Sequence, residues 1–218
     1  MTKEQVRARI EEIGIIPAIR VSSSEEALFA AKALLAGGLR VVELTMTTPG
    51  ALEVITELAR TTPELMVGAG TVLDAQTAQA CVDAGAAFIT SPALDLEIVE
   101  FDTSNGVLVI PGALTPTEVV AAMKAGMQLI KVFPCSLIGG PSYIRALKAP
   151  LPHVGLIASG GVNQQTAGDF IRAGSAALGI GEDLVPHEAV RRHNSDWIRE
   201  LTRRFITMVH EARHPGTR

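Results

Sequence analysis

Short apolar runs alternate with longer segments of helical spacing along most of the chain. The apolar runs cover residues 15–19, 41–44, 65–67, 86–89, 107–110, 129–133, 154–158 and 176–180. Between them lie segments such as SSSEEALFAAKALLAGG and TPTEVVAAMKAG, several of which begin at a Ser, Thr or Asp cap and end on glycine. A strand followed by a helix, repeated eight times, predicts an α/β fold with a parallel sheet, and eight such units close into a (β/α)8, or TIM, barrel.

Two further helices are predicted outside this repeat. Residues 3–12 have amphipathic helical spacing ahead of the first apolar run, and residues 194–212 have it after the last one. A length of 218 residues is ordinary for one barrel, and no change of composition marks a linker. We therefore expect one barrel domain over residues 1–218, with an extra N-terminal helix and a C-terminal helix.

A doubly wound open sheet is the alternative arrangement of such units. Its dinucleotide-binding form needs Gly-x-Gly-x-x-Gly after the first strand. Here the first strand is followed by RVSSSEEA, which contains no glycine, and the Gly-x-Gly pairs at residues 68–70 and 179–181 do not complete the motif. Both pairs stand where a barrel strand would meet its loop, so the barrel is favoured.

Composition and charge exclude several classes of partner. Hydrophobic residues make up 47% of the chain and aromatic residues 4%, which favours a core of Ala, Val, Ile and Leu like that of a buried parallel sheet. The net charge of −4 is mild, and no basic patch is interleaved with aromatic residues, so we expect no nucleic-acid partner. No apolar run reaches membrane-spanning length, so we expect no membrane partner.

The cysteines and histidines indicate a reduced protein without a metal site. Cys81 and Cys135 form neither a disulfide framework nor a Cys-x-x-Cys pair, and the first residues lack a signal-peptide pattern, so we expect a cytoplasmic location. The five histidines lie late in the chain and show no His-x-His spacing, so we expect no zinc-dependent chemistry. No Gly-x-Ser-x-Gly elbow is present. Cys135 is interpreted as a wall residue rather than a nucleophile.

Lys131 is the lysine that stands in an apolar strand, in the segment QLIKVFP, whereas the other four lysines lie in helical segments. A buried ammonium loses hydration, which favours the neutral, nucleophilic amine. Schiff-base formation with a carbonyl requires that form of the amine. The structural alternatives are a lysine paired with a carboxylate inside the barrel, or one that reaches solvent from the strand end.

Glu43 and Arg20 are two further charges at strand positions. Glu43 lies in the second strand and Lys131 in the sixth, and alternate strands of a barrel direct side chains into the same interior layers. A carboxylate there can transfer protons during imine chemistry, or it can form a structural ion pair. Arg20 ends the first strand, where a guanidinium can bind a carboxylate or phosphate, or simply face solvent.

Other strand ends carry small or polar residues. Thr71 follows the third strand, Ser91 and Pro92 follow the fourth, and the last two strands end near Gly160-Gly161 and Gly181. Loops after the seventh and eighth strands of such barrels frequently bind phosphate through N–H groups at a helix start. We therefore expect Asn163 to cap the helix after Gly160-Gly161.

These residues and motifs resemble the class I 2-keto-3-deoxy-6-phosphogluconate (KDPG) and 4-hydroxy-2-oxoglutarate (KHG) aldolases over residues 15–186. The motifs occur in a specific order: GGLRVVELT (37–45), VGAGTVL (67–73), AGA (84–86) leading to SP (91–92), IPG (110–112), IKVFP (130–134), GGV (160–162) and LVP (184–186). The resemblance implies a homotrimer that uses no metal or other cofactor and acts on a small 2-keto acid, with pyruvate as a product.

The resemblance also implies residue roles. Lys131 matches the Schiff-base lysine and Glu43 the proton-transfer glutamate. The residues that match the pyruvate pocket are Thr71, Pro92 and Phe133. The residues that match the backbone donors of the phosphate site are Gly160 and Gly161. Further substrate contacts are expected at Arg20, Thr45, Ser159 and Gly181.

Three positions depart from the family pattern. Thr47 stands where well-known members have an Arg that holds the substrate carboxylate, and Arg20 is the candidate to replace it. Ser159 replaces a Thr before the Gly-Gly pair. Glu182 replaces a Ser or Gly after the eighth strand, where a carboxylate would repel a bound phosphate unless it points away.

The function that we expect is cleavage of a KDPG-type or KHG-type acid to pyruvate and an aldehyde, which is glyceraldehyde 3-phosphate or glyoxylate. An unphosphorylated or galactonate-type 2-keto acid is an alternative substrate. A different lyase or isomerase that uses Lys131 only electrostatically, and a non-catalytic sugar-acid binding barrel, are alternative functions. The sequence leaves the phosphorylation of the substrate, its configuration at carbon 4 and the oligomeric state open.

Overall fold

The computed structural model of the chain describes residues 1–216, with the side chains of residues 102–105 left out, and residues 217 and 218 of the expected domain lie outside it. The strands are β1 (Ile15–Ile19), β2 (Val41–Thr45), β3 (Met66–Gly70), β4 (Phe88–Thr90), β5 (Leu108–Ile110), β6 (Gly112–Ala113), β7 (Leu129–Val132), β8 (Gly155–Ser159) and β9 (Ser175–Ile180). The helices are α1 (Lys3–Ile13), α2 (Ser24–Gly37), α3 (Ala51–Thr61), α4 (Ala75–Asp83), α5 (Leu96–Asn105), α6 (Pro116–Lys124), α7 (Pro141–Lys148), α8 (Ala167–Arg172), α9 (His187–Arg191) and α10 (Ser195–Arg213). A short 3-10 helix spans Ser136–Ile138.

The strands form one parallel sheet in the order β5-β4-β3-β2-β1-β9-β8-β7-β6. This order is that of a (β/α)8 barrel, and the predicted barrel with its extra helices α1 and α10 is confirmed. One difference from the prediction concerns the fifth barrel strand, which is divided into β5 and β6.

The division of the fifth strand falls at Pro111. A proline has no N–H to donate to a neighbouring strand, so the ladder is interrupted there. β5 pairs with β4, and β6 pairs with β7. The carbonyl of Pro111 still accepts a hydrogen bond from the backbone N–H of Lys131 at 2.8 Å. The two halves therefore occupy one barrel position and bring the two ends of the sheet together.

Side-chain capping explains where several helices begin. Ser23 accepts a hydrogen bond from the N–H of Glu26 at the start of α2, which ends against Gly38 in the left-handed conformation. At α6, Thr115 and Glu118 form a reciprocal capping box ahead of Pro116. The starts of α2 and α6 are thus fixed by local residues.

The lower interior of the barrel is an apolar floor, made by Ile16, Val41, Met66, Phe88, Leu108, Ile110, Leu129, Ile157 and Ala177 together with Val6 and Ile10 of α1. Side chains on one face of a strand recur every second residue. The next inward positions above Val41 and Leu129 are therefore Glu43 and Lys131. A separate, larger apolar cluster lies between the strands and the outer helices. Helix α1 closes the floor, so the polar layer opens only toward the carboxyl ends of the strands.

Two glycines of β3 make room for inward side chains. A Cβ on Gly68 would overlap the ring of Phe88, and a Cβ on Gly70 would overlap the carboxylate of Glu43. The Gly-x-Gly pair at 68–70 is therefore a packing requirement of the barrel interior. No helix among the described residues is long and apolar enough to cross a bilayer.

Candidate active site

A cleft of about 320 Å³ opens at the carboxyl ends of β1, β2, β7, β8 and β9. Eight of the eleven predicted site residues line it: Arg20, Glu43, Lys131, Phe133, Ser159, Gly160, Gly161 and Gly181. This position is the one at which barrel enzymes carry their active sites. The three other predicted residues, Thr45, Thr71 and Pro92, are not part of the cleft wall.

Lys131 and Glu43 form a buried but loose ion pair. The distance from Lys131 Nζ to Glu43 Oε1 is 3.8 Å, and the two side chains are 11% and 4% exposed. This distance is too long for a hydrogen bond. The ammonium also stands 5.7 Å from the centre of the Phe133 ring. The lysine therefore faces the cleft with a carboxylate nearby, without being held in a tight structural pair.

Only one oxygen of Glu43 is satisfied by hydrogen bonding. Oε2 accepts from the hydroxyl of Thr90 at 2.9 Å, whereas the buried Oε1 has no hydrogen-bond partner among the described residues. A buried polar atom without a partner is costly and is retained mostly where a ligand or a reaction uses it. Thr90 thus fixes the orientation of the carboxylate, and Oε1 is left available to take or give a proton.

Arg20 stands at the rim of the cleft beside Thr71. Its Nη2 donates to the hydroxyl of Thr71 at 3.4 Å. Thr71 itself adopts a left-handed φ of 58°, which is rare for a β-branched residue because its side chain crowds the backbone. Although Thr71 lies outside the cleft wall, it contacts the cleft through Arg20. Local strain of this kind is common where a side chain must be placed for a function.

Thr45 and Pro92 serve the architecture around the cleft. Thr45 is fully buried, and its hydroxyl donates to the carbonyl of Ile19 at 3.0 Å, which ties the end of β2 to the end of β1. The backbone of Pro92 packs so closely on Gly112 that a Cβ there would overlap it. The structure does not bring these two residues to the cleft, and their predicted contacts with substrate stay predictions.

The loop after β8 presents two glycines to the cleft. Gly160 and Gly161 have left-handed φ values of 88° and 82°, which favour glycine. Their carbonyls accept hydrogen bonds from the N–H and the hydroxyl of Ser136, at 3.1 and 2.8 Å. Among the described residues no carbonyl accepts from the N–H of either glycine. The loop is therefore anchored by its carbonyls, with its N–H groups available to a ligand.

Asn163 caps the turn that leads into α8, one turn ahead of the first residue of the helix. Helix α8 begins at Ala167, and the residue at its N-cap position is Thr166. The side-chain oxygen of Asn163 instead accepts from the N–H groups of Gln165 and Thr166, at 3.0 and 3.1 Å. These bonds, together with the bond from the N–H of Ala167 to the carbonyl of Asn163 at 2.9 Å, are those of an N-cap residue, so Asn163 caps the chain as it enters α8.

Two ionisable cleft residues were not foreseen from the sequence, Asp183 and His187, and they join Glu182 on the wall. Burial and the charge of Glu182 raise the pKa of Asp183. A tight turn, in which the carbonyl of Gly181 accepts from the N–H groups of Leu184 and Val185, brings this segment to the cleft. The feature of the sequence that could have indicated these cleft residues is their position shortly after the last strand, β9.

Cys135 was expected to be a wall residue of the site, but it is buried and is not part of the cleft wall. The side chain is buried, and burial raises the pKa of its thiol to about 11. The thiolate is the nucleophilic form of cysteine, so Cys135 is unreactive near neutral pH. Among the described residues no group of three His, Cys, Asp or Glu side chains is placed to hold a metal ion.

The family model described as KDPG and KHG aldolase matches residues 6–201. The chain belongs to this family. It is 32% identical over 214 residues to the 2-dehydro-3-deoxy-phosphogluconate aldolase of Pseudomonas aeruginosa, an alignment that covers 96% of this chain and 97% of that one. It is 34% identical over 192 residues to the KHG/KDPG aldolase of Escherichia coli K12, covering 88% and 90%.

Solved structures of family members share the fold. The KDPG aldolase of Legionella pneumophila, crystallised with pyruvate captured at low pH as a covalent carbinolamine intermediate, superimposes with a TM-score of 0.85. The two sequences are 32% identical, and the match covers 90% of this chain and 95% of the Legionella chain. The predicted resemblance to the family is thus confirmed.

Gly70→Ala tests whether turnover depends on the position of the Glu43 carboxylate, which a Cβ on residue 70 would overlap. The added methyl group must displace the Glu43 carboxylate, and a misplacement of about 1 Å can cost on the order of 10²-fold in rate. We expect a loss of about that size in turnover of a 2-keto acid while the far-ultraviolet circular dichroism stays unchanged.

The matched control is Gly168→Ala in α8, where the added Cβ meets only the end of the exposed Arg172 side chain. Its turnover should equal that of the parent. Full activity in the Gly70→Ala protein would show that the position of Glu43 is not critical.

Proposed function

We propose that this protein is a class I aldolase that cleaves a 2-keto acid to pyruvate and an aldehyde through an imine on Lys131. The observation that carries the proposal is the buried pair of Lys131 and Glu43, 3.8 Å apart at the closed end of the cleft. Family membership supports it, as does the pyruvate carbinolamine captured in the Legionella relative.

The first stage is formation of the imine. Glu43 accepts a proton from the Lys131 ammonium, and the lone pair of Nζ then attacks carbon 2 of the keto acid to form a carbinolamine. Glu43 returns the proton to the departing hydroxyl, which leaves as water, and the product is a protonated imine. The unpartnered Oε1 is the atom that faces Nζ, so it is the oxygen assigned to both transfers.

The second stage is cleavage between carbons 3 and 4. Glu43 takes the proton of the 4-hydroxyl, the electrons of the carbon–carbon bond move toward the imine nitrogen, and the aldehyde leaves. The resulting enamine takes a proton at carbon 3, and water hydrolyses the pyruvate imine to release pyruvate and regenerate Lys131. A KDPG-type acid yields glyceraldehyde 3-phosphate, and a KHG-type acid yields glyoxylate.

The remaining cleft residues are assigned to binding. Arg20 is the cation available for the substrate carboxylate, because the charge of Lys131 is used in the imine. The ring of Phe133 forms an apolar wall beside the reacting carbon. The free N–H groups of Gly160 and Gly161 are assigned to the distal end of the substrate, with Ser159 beside them.

We also propose that the protein works as a homotrimer in the cytoplasm on a small-molecule substrate. Leu73, Leu96 and Leu137 follow or neighbour strand ends and are 58%, 59% and 85% exposed. Burial of these side chains against another copy of the chain would remove their apolar surface from water. The free cysteines Cys81 and Cys135 suit a reducing compartment.

Replacement of Lys131 is the direct test of the imine. In Lys131→Ala and Lys131→Arg we expect no turnover and no covalent adduct after borohydride reduction with pyruvate, because neither side chain can form the imine near neutral pH. Mass spectrometry of the reduced protein measures the adduct. Lys124→Ala, which removes an exposed lysine of α6, should behave like the parent.

This test separates the aldolase from its alternatives. An enzyme that used Lys131 only electrostatically would keep substantial activity in Lys131→Arg, and a binding protein would give no reducible adduct in the parent. Undiminished turnover in Lys131→Ala would end the Schiff-base proposal.

Glu43→Gln keeps the shape of the side chain and removes the base. General acid–base catalysis contributes roughly 10²–10⁴-fold, so kcat should fall by about that factor. The adduct with pyruvate should form slowly rather than disappear, which a time course of borohydride trapping measures. Glu53→Gln, on the exposed side of α3, is the matched control. A loss below roughly threefold would reduce Glu43 to a structural role.

Arg20→Ala tests the assignment of the substrate carboxylate. A hydrogen bond to a charged group contributes about 1.5–3 kcal/mol, so the apparent Kd for pyruvate should rise on the order of 10- to 100-fold. Arg60→Ala, on the exposed face of α3, should leave that Kd unchanged. A loss seen only with phosphorylated substrates would instead assign Arg20 to a distal phosphate.

A further inference from the structure

The loop that follows β8 is held from one side by the segment that follows β7. The N–H of Cys135 donates to the carbonyl of Ser159 at 2.9 Å. The N–H of Ser136 donates to the carbonyl of Gly160 at 3.1 Å, and its hydroxyl donates to the carbonyl of Gly161 at 2.8 Å. Successive carbonyls of the loop are therefore fixed by two neighbouring residues, and Ser136 fixes the two that belong to the glycines.

The fixed carbonyls determine where the N–H groups of the same peptides point. In a planar trans peptide, the carbonyl and the N–H of the next residue point in opposite directions. The N–H groups of Gly160, Gly161 and Val162 therefore point away from the segment after β7, and all three residues line the cleft. Within the part of the chain that the structure describes, none of these N–H groups has a hydrogen-bond acceptor. Successive free N–H groups of this kind can bind an anionic oxygen.

The side chains of the cleft leave a second anionic group of the substrate to these backbone donors. Lys131 forms the imine, and Arg20 is assigned to the carboxylate at carbon 1. The segment after β9 adds two acids and one imidazole, from Glu182, Asp183 and His187. These side chains supply no permanent positive charge. The orientation of the loop N–H groups therefore decides how well a distal phosphate or carboxylate is held.

We infer that Ser136 is a positioning residue, which orients the loop N–H groups for the distal anionic group of the substrate. Its hydroxyl fixes the peptide between Gly161 and Val162, and its N–H fixes the peptide between Gly160 and Gly161. Ser136 is not part of the cleft wall, so it acts through the loop. The inference rests on the proposed aldolase function and adds to it a residue that determines distal binding.

The close approach of Ser136 and Gly161 ties the loop to the strand of the reacting lysine. A Cβ on Gly161 would lie 2.6 Å from both Cβ and Oγ of Ser136, and Gly161 has a left-handed φ of 82°. β7 and β8 are adjacent parallel strands, and Ser136 follows the strand that carries Lys131. The contact therefore couples the position of the distal donors to the strand that carries the reacting amine.

Ser136→Ala tests this role, because it removes the hydroxyl and keeps the backbone N–H. One N–H donor then loses its fixed orientation, so KM should rise by about 3- to 10-fold for KDPG or KHG, whichever the parent cleaves with the higher kcat/KM. The distal group lies away from the breaking bond, so kcat should stay within about twofold. The pyruvate concentration that half-saturates borohydride trapping should not change, because pyruvate has no distal group.

Two further variants separate the hydrogen bond from packing. Ser136→Thr keeps the hydroxyl, so its KM should stay within about twofold of the parent value. Ser142→Ala removes an exposed hydroxyl of α7 and is the matched control, which should behave like the parent. An unchanged KM in Ser136→Ala, or an equal rise of KM in Ser136→Ala and Ser136→Thr, overturns the inference.

Borohydride trapping distinguishes a failure of this inference from a failure of the aldolase proposal. A parent that forms the Lys131 adduct but cleaves neither KDPG nor KHG overturns the inference alone, as does a Ser136→Ala protein that no longer forms the pyruvate adduct. A parent that forms no adduct refutes the aldolase proposal and the inference with it. A rise of KM confined to Ser136→Ala, with an unchanged pyruvate adduct, supports both.

Discussion

The site depends on one constraint, the placement of an ionised pair directly above an apolar floor. Glu43 and Lys131 each stand two residues beyond a hydrophobic side chain of the same strand face, Val41 and Leu129. Taking charges out of water is costly unless they are paired or used, and here the pairing is incomplete. The barrel bears that cost because its floor, to which helix α1 adds Val6 and Ile10, and the cluster between strands and outer helices are apolar.

The rest of the local structure follows from keeping this pair in place. Gly70 leaves the space that the Glu43 carboxylate occupies, and Thr90 orients it with one hydrogen bond. Pro111 interrupts the fifth strand, yet its carbonyl binds the N–H of Lys131 and holds the backbone that carries the lysine. Residues at three different barrel positions thus fix two side chains, which is how a rigid sheet can position reacting groups closely.

The fold and the chemical pair could be predicted from the sequence because both depend on local patterns. Alternation of apolar runs with capped helices indicated the barrel, and a charge inside an apolar strand is conspicuous in any sequence. The division at Pro111, the turn at Asn163 and the positions of Asp183 and His187 depend on loop geometry. Loop conformation is set by contacts between segments distant in sequence, such as Ser136 with Gly161, which no local pattern records.

The floor and the reacting groups lie on the same strands, two residues apart, so the packing of the core and the chemistry depend on the same strand register. A one-residue insertion or deletion within β7 would turn Lys131 outward toward the helices and put Ile130 or Val132 into the cleft. Such a change would expose the core and abolish the chemistry together, whereas a change of length in a loop would do neither. Because the loops after β8 and β9 form part of the cleft wall, a change there would alter the contacts with a ligand and leave the pair of Lys131 and Glu43 in place.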